Sequence, residues 1–230
     1  MNEQEKKPAM TNERMRAVLI EVLTKYRVAI GLGALAAVTA IIIIIGYSFV
    51  QQGRMVKANE VYERGFSLFL QSRRAGNVLE MNQMLNDAVT SLQDAEKKAS
   101  GTPLSLRAKY FLGNSFYYMK NQTEAVKQLT AVSTHRSFYL APQAMYDLIL
   151  ISIEGSNYDD ALNYGSKFMK AWPKSYLAGE VVMTMSMVER KLNRREKAIT
   201  LLKDFLKANP DSVYKKRMAE RVSLLEARVI

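Results

Sequence analysis

One histidine, His135, is the only side chain in this 230-residue sequence whose ordinary pKa lies near neutrality, and cysteine is absent. A single imidazole cannot assemble a histidine-rich metal site. A Ser-His-Asp relay would hang on one residue of the loop Ser133-Thr-His-Arg-Ser137, where a solvated turn histidine is the expected reading. Without cysteine there is neither a disulfide framework nor a thiolate metal site. Neither G-x-G-x-x-G nor G-x-x-x-x-G-K occurs, so no glycine loop, Gly113 included, is set up to cradle phosphate. No catalytic constellation, cofactor or metal is expected. The chemistry left to the chain is binding.

Charge offers one candidate surface. The net charge is +11, of which the first 27 residues contribute +2. Arg190, Lys191, Arg194, Arg195 and Lys197 crowd a predicted turn between two helices, where they could touch an acidic partner or anionic headgroups, or simply be solvated. No nucleic-acid-binding motif accompanies the charge, so nucleic acid is not an expected partner.

The element that must position everything else is the uncharged run 28–50. Its 23 residues, which include Ile41 to Ile45 in succession, cover the roughly 30 Å hydrocarbon core of a bilayer at about 1.5 Å each. A signal peptide would have a shorter apolar region and a small-x-small exit, whereas this run ends Gly46-Tyr-Ser-Phe-Val50. A buried soluble helix would keep a polar stripe. The sequence therefore predicts a tail (1–27), one transmembrane helix (28–50) and an extramembrane domain (51–230). Four Lys/Arg lie within about 15 residues before the span (Arg14, Arg16, Lys25, Arg27) and three after it (Arg54, Lys57, Arg64), a slight bias toward a cytoplasmic tail. The rest would then lie across the membrane, in the periplasm of a bacterial inner membrane. Ala29, Gly33 and Ala37, with Ala36 and Ala40 beside them, put small residues on one face of the span, where a second transmembrane helix could approach.

Beyond the span, composition favours helices: Ala, Leu, Lys, Glu and Met are plentiful, and strand-like alternation is missing. Phe168-Met-Lys-Ala-Trp-Pro-Lys-Ser175 recurs 37 residues later as Phe205-Leu-Lys-Ala-Asn-Pro-Asp-Ser212. Small residues share the same register, with Ala88, Ala125, Ala161 and Ala198 spaced 37, 36 and 37 apart. Turn signals and periodicity predict helices over 53–74, 79–97, 104–119, 123–132, 139–154, 158–170, 175–191, 195–207 and 212–228, the last capping the stack.

The stretch Ala108-Lys-Tyr-Phe-Leu-Gly-Asn-Ser-Phe-Tyr117, followed by Glu124-Ala-Val126, resembles the tetratricopeptide repeat (TPR). Leu112, Gly113, Phe116 and Ala125 match its signature positions, and Pro173 and Pro210 match its closing proline. Ile149 and Ser186 replace the first-helix glycine in later units, and the first unit is recognisable mainly from Ala88. The resemblance implies an all-α solenoid of about four helical hairpins. It also implies an inner face carrying Tyr110, Asn114, Tyr117, Tyr118, Tyr146, Leu150, Ile153, Met183, Met187 and Arg190, residues available either to a protein partner or to packing between repeats. Family members that clamp a C-terminal carboxylate use several Lys, Arg and Asn residues, of which only Asn114 has a counterpart.

A short tail, one span and a tetratricopeptide array together are similar in layout to the ancillary translocon subunit family that accompanies the bacterial secretion channel. That layout implies a non-enzymatic adaptor holding proteins beside the membrane. A structural subunit of a larger envelope machine, such as a secretion or flagellar assembly, and a regulator or enzyme acting on envelope polymers remain the alternatives.

Overall fold

The structure is a computed structural model that describes residues 12–227, so the charged residues of the first eleven positions and the expected end of the last helix at Arg228 lie outside it. Every regular element among the described residues is an α-helix: α1 (Asn12–Lys25), α2 (Arg27–Ser72), α3 (Val78–Lys98), α4 (Pro103–Tyr118), α5 (Gln122–Ser133), α6 (Ala141–Glu154), α7 (Tyr158–Ala171), α8 (Ala178–Lys191), α9 (Arg195–Ala208) and α10 (Lys215–Glu226). They fall into two units divided at Gly53.

In the first unit, the expected tail over residues 1–27 contains α1. Its exposed Met15, Val18, Leu19, Val22 and Leu23 recur at three- and four-residue steps, the period that turns an apolar stripe to one side of a helix. Within α2, residues 28–50 are exposed throughout and carry no charge. The helix is long and apolar enough to cross a bilayer by length and composition.

In the second unit, residues 54–72 of α2 pair with α3, and α4–α5, α6–α7 and α8–α9 form three further hairpins, with α10 against α9. Each hairpin closes through one small residue. Ala88, Ala125, Ala161 and Ala198 are all buried, and the site of Gly113 faces Leu129 so closely that a Cβ there would lie 2.7 Å from the leucine Cγ. The first hairpin has its own copy of this contact. Gly65 faces Leu92 with a Cβ-to-Cγ separation of 2.8 Å. Sequence spacing hid it, because α3 is 21 residues long against 12 in α5 and so pushes Leu92 farther along the chain from its glycine. In the third hairpin the large and small partners have changed places. Ile149 takes the glycine position, and Gly165 stands at the register of Leu92, Leu129 and Leu202, where Met185 of the next hairpin fills the space.

The turn from first to second helix repeats as well. Lys120, Ser156 and Asn193 each have φ near +60° (62°, 59° and 59°), and the next amide reaches back across the turn from Asn121 to Phe116 O, Asn157 to Ser152 O and Arg194 to Glu189 O at 2.8–2.9 Å. This is the Schellman arrangement, which satisfies carbonyls that the helix end leaves open. In the middle turn the left-handed residue is Ser156, although glycine, the natural occupant, stands one residue earlier at Gly155. Helices α6, α8 and α10 begin two or three residues later than expected. The segments before them form tight turns, with Ala141 N bonding Phe138 O, Ala178 N bonding Ser175 O and Lys215 N bonding Ser212 O. The ring of Tyr214 then seats on Gly179, where a Cβ would collide with it, and this locks α10 onto α8.

Candidate partner-binding groove

First helices α2 and α4 meet through aromatic rings, Tyr62, Phe66 and Phe69 against Phe111, and from α4 onward polar side chains link successive first helices. Between α4 and α6, the Tyr117 hydroxyl donates to Glu154 Oε2 at 2.5 Å, and Lys120 Nζ approaches Glu154 Oε1 at 3.1 Å. The accepting carboxylate and partial burial push the tyrosine up to about 12, while those same donors hold Glu154 below the usual carboxylate range. Deeper on the same helices, Asp147 accepts from Gln143 Nε2 at 3.0 Å, and Tyr110 and Asn114 face it. Its second oxygen, Oδ2, is buried and meets no donor among the described residues. Burial raises the Asp147 carboxyl above its ordinary value and, with the nearby carboxylate, raises the Tyr110 hydroxyl too.

Between α6 and α8, Tyr146 faces Thr184, and burial raises its hydroxyl pKa. Between α8 and α10, Arg217 lies 3.6 Å from Glu180. Arg221, also on α10, is half-buried, and its Nε has no acceptor among the described residues. Burial, and then the like charges of Arg190 and Arg217, lower its pKa.

The residues expected on the inner face thus divide by what they touch. Met183 is buried. Tyr110, Tyr117, Tyr146 and Ile153 are half-buried against the core, and Asn114 donates to the Tyr110 carbonyl at 3.0 Å. Tyr118 packs on Phe69 and carries the Arg73 guanidinium 3.5 Å above its ring, a cation–π contact. Leu150 (41% exposed), Met187 (39%) and Arg190 are left open. Sequence reasoning missed Leu224 on α10, 36% exposed. The signal was present: 150, 187 and 224 are spaced by 37, the interval of the repeats.

The basic turn is partly neutralised within the chain. Arg194 lies 3.7 Å from Asp159 and 3.8 Å from Glu189, Arg195 pairs with Glu196 at 3.1 Å, and Lys191 stands 5.4 Å over the Tyr158 ring. Lys197 is exposed. In the first unit, Ala29, Gly33 and Ala37 are exposed on α2, and an added Cβ at Gly33 would meet nothing within 4 Å. His135 is exposed in the turn before α6. Among the described residues no group of three or more His, Cys, Asp and Glu could hold a metal ion.

The family profile described as Tetratricopeptide repeat matches residues 182–212, which run from α8 through α9 to the turn before α10. Comparison with curated proteins finds no match. Among solved structures, the chain is similar to a single-substitution form of the nearly identical TPR-like repeats from a Podosopora anserina protein named for kinesin light chain. The identity is 13% and the TM-score 0.50, over 73% of this chain and 97% of that one. The MamA protein aligns at 15% identity and a TM-score of 0.40, over 66% of this chain and 93% of its own. The kinesin-light-chain likeness shows a fold, that of a TPR-like helical solenoid.

Proposed function

We propose that this protein is a membrane-anchored, non-enzymatic scaffold that holds partner proteins against the inner face of its solenoid, on the periplasmic side of a bacterial inner membrane and beside the secretion translocon. A TPR-like fold supports a protein interaction scaffold. The observation that carries the reading is the inner face itself. Leu150, Met187 and Leu224 stay exposed at one register position of successive first helices, although the neighbouring Met183 and Thr184 are buried. Apolar side chains left open in a regular row are what a partner's surface would cover. The anchor rests on the uncharged, wholly exposed stretch 28–50, and the orientation on the basic residues before it.

Crosslinking in intact membranes followed by purification of the full chain tests the scaffold. Recovery of translocon components supports the reading. Recovery of secretion or flagellar machine subunits assigns the protein to that assembly instead, and recovery of no protein contradicts a scaffold. Topology is tested separately, since the chain has no cysteine of its own. Ser212→Cys should react with an impermeant thiol reagent applied outside the inner membrane and Thr11→Cys should not, while the reverse pattern would overturn the periplasmic assignment.

A further inference from the structure

The inner face carries two kinds of unsatisfied surface side by side. One is the row Leu150, Met187 and Leu224, a single residue from each of α6, α8 and α10. Side-chain meetings link these helices, Tyr146 to Thr184 between α6 and α8 and Arg217 to Glu180 between α8 and α10, so the row crosses three neighbouring helices. The other is the arginine group at the α10 end of the row. Glu180 occupies Arg217, but Arg190 and Arg221 have no ion-pair partner among the described residues, and Arg221 Nε is buried without an acceptor. Three guanidinium groups held together repel one another. Burial, and then the like charges of Arg190 and Arg217, lower the pKa of Arg221. An anion placed among them would relieve the repulsion and supply the missing acceptors.

From this juxtaposition, and resting on the groove reading above, we infer that the solenoid binds a peptide segment of a partner protein that lays regularly spaced apolar side chains along the row and an acidic residue at the end lying beside α10. The apolar residues would cover Leu150, Met187 and Leu224, and the carboxylate would sit among Arg190, Arg217 and Arg221. Apolar contact supplies most of the attraction, while the arginines fix the direction in which the segment lies.

The test is selection from a random 16-residue peptide library displayed against the full chain in detergent micelles, with the selected peptide then synthesised for titration. The expected consensus has regularly spaced apolar residues and Asp or Glu at one end. Met187→Asp should weaken the selected peptide by roughly tenfold or more, as loss of a central contact does. Arg190→Glu with Arg221→Glu should shift the consensus to Lys or Arg at that end and leave the apolar spacing unchanged. Circular dichroism confirms that each variant is folded. Should binding depend on Met187 while the consensus lacks an acidic end or ignores the arginine reversal, this inference fails and the groove reading stands. Should no peptide be enriched, or binding be indifferent to Met187→Asp, both fail.

Discussion

Gly113→Ala places a methyl group where α4 and α5 come closest. The new Cβ would stand 2.7 Å from Leu129 Cγ and 3.0 Å from Cδ2, and Leu129 is fully buried, so the leucine cannot swing into solvent. Overpacking of this kind costs about 1–3 kcal/mol, and so short an approach belongs in the upper part of that range. Alanine also returns about 1 kcal/mol of helix propensity relative to glycine. The net loss is about 1–2 kcal/mol, a fall in Tm of about 2–8 °C for a domain of this size. Removing the obstacle changes the sign. In a Leu129→Ala background the methyl group has room, so Gly113→Ala should stabilise by about 1 kcal/mol or more, which gives a coupling of about 2–3 kcal/mol between the two positions. Thermal melts of the full chain and its three variants, followed at the helical circular dichroism band, measure the cycle. Additive effects, or a Gly113→Ala midpoint unchanged in both backgrounds, would refute the glycine-on-leucine contact as the device that closes the hairpin.

Ser156 holds a left-handed conformation at φ 59°, so Ser156→Gly should raise stability by about 1 kcal/mol, seen as an increase in Tm, whereas Gly155→Ala one residue earlier should not relieve that strain. Asp147 gives a pH dependence. Burial raises its carboxyl above the ordinary value of 3.8, so the folded chain holds its proton more tightly than the unfolded chain does. The advantage is complete below the unfolded value and is lost as pH rises through the folded one. Asp147→Asn should therefore raise the urea midpoint at pH 7 relative to the native chain and flatten its decline as pH rises above the ordinary carboxyl value of 3.8. An unchanged pH profile in the Asn variant would assign the dependence to other groups.

Much of the solenoid could be read from the chain because close helix crossings demand small residues, and Ala88, Ala125, Ala161 and Ala198 state the interval directly. Second-helix boundaries were legible to within a residue or so because polar turns flank them. The later starts of α6, α8 and α10 were not, since Ser-x-Leu or Ser-x-Tyr before a helix serves a tight turn as readily as a first helical turn. Gly65 and the exchange of Ile149 with Gly165 escaped notice because a contact pair can lengthen its connection or swap its members without disturbing the core. The groove was half legible. An aromatic on a first helix has the same type whether it faces a partner or the next repeat, and only the structure separates Tyr117 and Tyr146, engaged between repeats, from Leu150 and Met187, which remain open. Arg221 gained meaning only beside Arg190 and Arg217, and the three come from two different helices.

A photo-crosslinking residue placed at position 187 of the inner face, and in a second variant at the exposed Thr200 of α9, compares the two sides of the solenoid in native membranes. Scaffolding through the groove predicts a discrete partner adduct from position 187, none from position 200, and loss of a partner adduct formed at position 150 when Met187→Asp is added. An adduct from position 200 with none from position 187 would place recognition on the outer surface and contradict the account.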